Sequence, residues 1–355
     1  MRPGVQAVAL CLAVVSLRGA AAFLAPHHPA AEMRSAVRAG VADLRCALVP
    51  RRDVLVLGGA LVPALAFGRS FSSPAGAEVI ATPMFGEGPK GIPAPQIGVG
   101  TWAWGDDSVW GYKSYDKSLT FDSIEAAFRT SIEQGVTFFD TAEIYGNGES
   151  ERIIGKLIKS LPESERKKIQ VASKFYPVDP TTSLPRINVK KDLIAALDAT
   201  LQRLQLDHID LYQMHAPLTI ENGAVVGDAL AEAVRSGRCK AVGVSNYNLK
   251  ELMPVYEELK AKGIPLASNQ IEFSLLRTLP KTGGMIDACN KLGIATLAYS
   301  PLGMGRLTGK YSKSNKPSGS RFFGKAKPEV LDPLLAKLRE VGERNGGKTP
   351  AQAYA

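Results

Sequence analysis

Cysteine is scarce, with four in 355 residues, which excludes a disulfide scaffold. Histidine is as rare, also four, and only His208 and His215 lie beyond residue 77. Cys239 and Cys289 fall in different structural units, so no His/Cys spacing suits a zinc site. No Ser-His-Asp order and no reactive Cys offers a protein nucleophile. Lysine is missing from the first 77 residues; Lys90 is the first. The apolar stretch Val54–Phe67 is 14 residues long and contains Pro63, too short to span a bilayer comfortably. What is present is ordinary for a globular chain: 45% hydrophobic and 22% charged residues can bury a core and exclude a disordered or collagen-like polymer. The length allows one large domain or two average ones.

The net charge of +9 is unevenly placed. Residues 1–77 hold eight arginines against three acids, so more than half of the excess sits there, and a nucleic-acid-binding role is disfavoured. Arg-rich, Ala-rich, acid-poor composition marks a transit segment. Residues 1–22 read as a secretory signal: Arg2, the apolar run Val5–Leu17, then Ala20-Ala21-Ala22 as a cleavage site. Phe23 follows directly, and the arrangement resembles a bipartite plastid presequence. Arg51-Arg52, Val54–Phe67 and Ala75-Gly76-Ala77 resemble a twin-arginine signal with cleavage before Glu78. Residues 1–77 are therefore expected to address a plastid, stroma or thylakoid lumen, with no stable membrane insertion of the mature protein. Residues 78–96 are read as a linker.

From Ile97 onward, short apolar runs alternate with amphipathic helical patterns. The expected strands are Ile97–Trp102, Val136–Asp140, Ile169–Lys174, Ile209–His215, Ala241–Ser245, Ala267–Glu272 and Ala295–Ser300. Helices are expected near 120–134, 150–160 (with Ser150 as N-cap), 189–205, 224–236, 248–262, 282–292 and 331–344, with another starting at Thr349-Pro350. The alternation predicts a parallel sheet with right-handed crossovers. The glycines at 98–100 lie inside a strand and lack the third glycine of a dinucleotide fingerprint, so a doubly wound sheet is disfavoured. Units of some 30–35 residues suit a (β/α)8 barrel. No eighth strand follows the seventh, so the sequence is expected to be C-terminally incomplete.

Barrel enzymes carry their reactive groups at the C-terminal ends of strands. The second strand ends at Asp140, with Tyr145 in the turn beyond it. The third ends at Lys174 and the fourth at His215. Taken singly, a strand-end Asp caps a turn, a Lys is a solvated charge, and a His is hydrogen-bonded in the core. Together they put four titratable groups from adjacent strands on one rim, which points to catalysis. A phenol is a poor acid at neutral pH; a neighbouring ammonium is expected to lower its pKa, with Asp140 holding that ammonium and His215 orienting a carbonyl. An acid without a protein nucleophile implies a cofactor that supplies hydride.

The pieces G-V-G-T-W (98–102), F-D-T-A-E-I-Y-G-N-G-x-S-E (139–151), S-K-F (173–175), M-H-A-P (214–217), G-V-S-N-Y (243–247), N-Q-I-E-F-S (269–274) and Y-S-P-L-G-x-G-x-L-T-G-K-Y (299–311) resemble the aldo-keto reductase family. The resemblance covers nearly all of the body. It implies a catalytic tetrad of Asp140, Tyr145, Lys174 and His215, the same four chosen from strand ends. It implies bound NADPH, with NADH left open by the residues themselves. Ser245, Asn246 and Gln270 would hold the nicotinamide carboxamide and Tyr299 would stack on the ring. Ser300, Pro301, Leu302 and Gly303 would line the pyrophosphate, with Lys310 and Arg321 adding charge. Thr101 and Trp102 are also expected on the cofactor.

Aromatics cluster around this rim: Trp102, Trp104, Trp110 and Tyr112 after the first strand, Phe175 and Tyr176 after the third, Tyr247 after the fifth. Trp104 and Phe175 are expected to line a pocket for a small-molecule carbonyl substrate. The segment Gly105–Leu119 departs from the shorter loop of many relatives, and Ser312–Lys327 reads as a loop. The leading expectation is NADPH-dependent reduction of aldehydes or ketones. A second is a nucleotide-sensing regulatory subunit of the kind found on potassium channels, where the His215 position carries Asn.

Overall fold

A computed structural model of the chain describes residues 54–58, 84–85, 92–312, 314–315 and 330–354. The signals read in residues 1–53 and 59–77, and Arg321, lie outside the described residues. The strands, in chain order, are β1 (Val54–Gly58), β2 (Met84–Phe85), β3 (Ile92–Pro93), β4 (Ile97–Gly100), β5 (Phe138–Asp140), β6 (Gln170–Phe175), β7 (Ile209–Met214), β8 (Cys239–Ser245), β9 (Leu266–Glu272) and β10 (Ala295–Tyr299). β2 and β3 form a small antiparallel pair. The other eight close a parallel barrel. β4 to β10 are the seven strands expected from the sequence, in the expected order.

The eighth seat is filled from the other side of the sequence. β1, VLVLG, pairs parallel with β10 (Val54↔Leu297) and with β4 (Leu55↔Ile97 to Gly58↔Gly100). Seven strands alone leave two rows of unpaired N–H and C=O groups, and a short apolar, Val-containing segment is suited to occupy them. The opening residues of the stretch read as a signal core thus form a barrel strand.

The helices between strands follow local signals. Thr120 and Ser123 form a capping box at the start of Phe121–Glu133, and Asn248 and Glu251 form another at Leu249–Ala261. Asn188 and Asn222 cap Val189–Leu204 and Gly223–Arg235, each accepting an otherwise unpaired first-turn N–H. The expected cap Ser150 is instead inside Glu149–Lys159, whose cap is Gly148 in a left-handed conformation. The Ser150 hydroxyl is buried and bonds Thr101 and Thr141.

Side chains two residues apart on a strand share a face, and this sets the site. Low in the barrel, Phe138, Ala172, Leu211, Ala241 and Leu297 pack into one apolar cluster. Two residues up the same strands come Asp140, Lys174, Gln213 and Gly243. The interior therefore turns from apolar to polar at the mouth. Gly243 is required there, because a Cβ would stand 2.2 Å from Ser268 Oγ.

Candidate active site

The four residues picked from strand ends converge. Lys174 is wholly buried, and its three ammonium donors have three acceptors: Asp140 Oδ1 at 2.5 Å, the Thr141 carbonyl at 2.7 Å and the Tyr145 hydroxyl at 3.3 Å. His215 is buried, with its ring centroid 5.7 Å from that of Tyr145 in an edge-on arrangement. Tyr145 as a whole residue is half-buried.

The turn that carries Asp140 and Tyr145 is pinned from below. Thr101 N–H and Oγ1 both donate to the Asp140 carbonyl at 2.9 Å, and the Ser150 hydroxyl ties Thr101 to Thr141. Gly146, with φ +55°, packs so closely that a Cβ would lie 2.3 Å from the Gly105 carbonyl. Thr101, expected on the cofactor, is completely buried and serves this anchor instead.

Electrostatics departs from the expectation for Tyr145. Burial, and then the negative charge of Asp140, raise its pKa well above 10.0. The ammonium was expected to lower it, but Lys174 spends its charge on Asp140 at the shorter distance. The phenol is thus held protonated, the state a proton donor needs. His215 is pushed well below its usual 6.5 by burial and by the Lys174 charge. Its imidazole is neutral and can orient an oxygen but carries no spare proton at neutral pH.

Beyond the tetrad lies a cluster of amides and hydroxyls. Ser245 Oγ donates to the Gln270 carbonyl at 2.9 Å, Asn246 Nδ2 to the His215 carbonyl at 3.2 Å and to Ser245 Oγ at 3.0 Å, and the Tyr299 hydroxyl to Asn246 Oδ1 at 2.9 Å. Asn246 and Ser300 take left-handed φ of 63° and 51° at the ends of β8 and β10, strained positions that cluster at functional sites. Both Asn246 Nδ2 hydrogens and the Ser245 hydroxyl hydrogen are used within this cluster, so Asn246 Oδ1 and Ser245 Oγ are left as acceptors, with Tyr299 bonded beside them. Such acceptors fit the NH2 end of a nicotinamide carboxamide. Gln270 is committed elsewhere: its Nε2 donates to Asp140 Oδ2 at 2.9 Å. In the loop after β10, Pro301 and Gly303 are buried and Leu302 half-buried. The Gly303 N–H turns back to the Ser300 carbonyl at 2.8 Å rather than outward. Lys310 is exposed, with Nζ 5.7 Å from the Tyr311 ring centroid.

Two residues expected to line the pocket do not. Trp104 is 3% exposed and tilts against Phe139 in the core; Phe175 is 0% exposed in the same cluster. Lys174 points into the barrel, so Phe175 must point out, toward the helices. Other rings pack beside Tyr145 and His215 instead. Trp102 stacks on Tyr145 at 6.0 Å, Trp110 meets Trp102 edge-on at 5.7 Å, and Tyr176 meets His215 edge-on at 5.7 Å. Trp110 belongs to the long segment after β4, which Asp106 folds by accepting the N–H groups of Val109 and Trp110 at 2.7 and 3.1 Å. Gln213, whose Nε2 reaches Asp140 Oδ2 at 3.5 Å, was missed. Its signal was a polar residue two before His215 in an apolar strand.

A parallel barrel with a buried Asp-Lys pair, a protonated phenol and an amide cluster at its C-terminal mouth defines an oxidoreductase of the NAD(P)H-dependent barrel class. The chain belongs to the aldo/keto reductase family, whose model matches residues 96–355. It is 38% identical over 273 residues to the chloroplastic pyridoxal reductase of Arabidopsis thaliana, covering 72% of this chain and 70% of that one. It is 28% identical to the L-glyceraldehyde 3-phosphate reductase of Escherichia coli (strain K12) over 277 residues, 75% and 77% of the two chains. Among solved structures it resembles a thermostable aldo-keto reductase in complex with the inhibitor epalrestat, at 27% identity and TM-score 0.53, over 71% and 77% of the chains. It also resembles an aldo/keto reductase from Klebsiella pneumoniae bound to NADP and acetate, at 25% identity and TM-score 0.50, over 60% and 66%.

Proposed function

We propose that this chain reduces planar aromatic aldehydes to alcohols at the expense of NADPH, with Tyr145 as general acid. NADPH, when bound, supplies a hydride to the carbonyl carbon. The neutral imidazole of His215 orients the carbonyl oxygen by donating a hydrogen bond. Tyr145 gives its hydroxyl proton to that oxygen as negative charge gathers there. The ammonium of Lys174 then faces the phenolate, and Asp140 keeps Lys174 in place. Solvent returns the proton to Tyr145 once the product has left. Ser245, Asn246 and Tyr299 are assigned to the nicotinamide, and the 300–303 turn to the pyrophosphate.

One observation carries the substrate class. Five rings follow one another around the reactive hydroxyl, in the order Trp110, Trp102, Tyr145, His215, Tyr176, and a flat ring fits against such faces and edges. The pyridoxal-reducing relative supports the same reading. The test is NADPH oxidation with pyridoxal, with a benzaldehyde and with a short aliphatic aldehyde. Planar aldehydes are expected to have the higher kcat/KM; no turnover, or an aliphatic preference, overturns the reading.

The Arg-rich, acid-poor leader and the chloroplastic relative together support a plastid address. Sequencing the N-terminus of protein recovered from fractionated plastids decides between compartments. A start at Glu78, which would remove β1 from the barrel, means the thylakoid lumen; a start within 23–50, which keeps β1, removes the lumen.

A further inference from the structure

Glu143 lies between Asp140 and Tyr145 on the same turn, and its side chain bonds the loop after β6. Its Oε1 accepts the N–H of Tyr176 at 2.7 Å, and its two oxygens accept Arg186 Nη2 at 3.2 and 3.3 Å. Both side chains are largely buried, at 10% and 17% exposure. The guanidinium carbon sits 4.8 Å over the Phe175 ring. Arg186 N–H donates to the Pro177 carbonyl at 2.9 Å, and Val178 bridges Pro185, so the loop after β6 folds back on itself and brings the cation to the carboxylate. A charge taken out of water is expensive unless paired and hydrogen-bonded. Here the carboxylate is given both a cation and a backbone donor, and that donor belongs to the residue whose ring meets His215.

We propose that Glu143 and Arg186 are positioning residues: their ion pair latches Tyr176 over His215 and thereby sets the affinity for planar aldehydes. This rests on the aromatic-aldehyde reading above. Phe175 anchors the strand end by burial, whereas Tyr176 is half-exposed and its backbone N–H is tied to Glu143. The latch also joins the turn bearing the proton donor to the loop bearing the wall, so wall and acid keep one relative position.

The test uses the full chain with Glu143→Gln, Arg186→Met and Tyr176→Leu. It reads kcat and KM for a benzaldehyde and for propanal, and NADPH affinity by fluorescence. Each variant is expected to raise KM for the aromatic aldehyde roughly three- to tenfold, the scale of one aromatic contact. For Glu143→Gln and Arg186→Met, kinetics with propanal and NADPH affinity stay within about twofold, since neither reads the wall; Tyr176→Leu serves only as the reference for the lost aromatic contact. The Glu143→Gln/Tyr176→Leu double variant is expected to be no worse than Tyr176→Leu, because both remove the same contact. Arg186→Lys, which keeps the positive charge but not the planar guanidinium over Phe175, guards against a folding failure and should fall between wild type and Arg186→Met. An unchanged aromatic KM, an equal loss with both aldehydes, or additivity in the double variant overturns the latch. A wild-type enzyme without aromatic preference overturns the substrate reading instead, so the two failures are told apart.

Discussion

Lys174 stands nearer to Asp140 than to Tyr145: Nζ is 2.5 Å from the carboxylate and 3.3 Å from the phenolic oxygen. Its charge is therefore largely answered before the phenol is reached. The consequence is a proton donor that keeps its proton at rest and releases it only to an oxygen that is gaining charge.

Replacing Tyr145 by Phe removes that proton. The variant is expected to bind NADPH normally and to lose at least ~100-fold in kcat, the scale of a general acid. Cofactor fluorescence and steady-state reduction measured together check it; wild-type rates would refute the assignment.

Because the phenol's pKa is raised above 10.0, kcat/KM for reduction should stay level from neutral pH upward and fall only beyond 10. A break near pH 8 in the kcat/KM profile would show that Lys174 lowers the phenol in the free enzyme, and one in kcat alone that it does so with substrate bound.

Lys174→Met should leave Asp140 as an unpaired buried carboxylate and cost about 3–5 kcal/mol in denaturant unfolding. Adding Asp140→Asn removes the stranded charge while keeping an acceptor for Gln270. The double variant is expected to regain much of the stability and none of the activity. Recovery of both would make the pair structural only.

His215 gives a pH-dependent term in stability. The folded state keeps it neutral well below 6.5, while the unfolded chain protonates near 6.5. The stabilisation is complete above that value. It is lost as pH falls from 6.5 toward the lower folded value, at up to about 1.4 kcal/mol per pH unit. Unfolding of wild type and His215→Gln at pH 7 and at pH 5 checks it; the variant should show the shallower decline.

Much of this was legible in the sequence because apolar strands end abruptly in polar residues. Asp140, Lys174 and His215 were read from strand ends, and the seven strands with their helices fall within a few residues of expectation. The pocket wall was less legible. Phe175 and Tyr176 are adjacent aromatics, and only the direction of Lys174 tells which one turns outward. Trp102 and Trp104 lie in a turn, where strand alternation gives no guide. Gln270 was given to the cofactor by resemblance, but its bond to Asp140 spans 130 residues and has no local signature. The Tyr145 pKa went the other way because distances inside the triad, not residue types, decide which partner claims the ammonium.

Asp140 is held by Lys174 from β6, by Gln213 from β7 and by Gln270 from β9. No contiguous stretch of chain carries those partners. Ribosomes release the N-terminal part first, and pairings this distant in sequence form late. A chain made only as far as β8 therefore lacks part of the hold on its own carboxylate, and full turnover is expected only after β9 has been laid down.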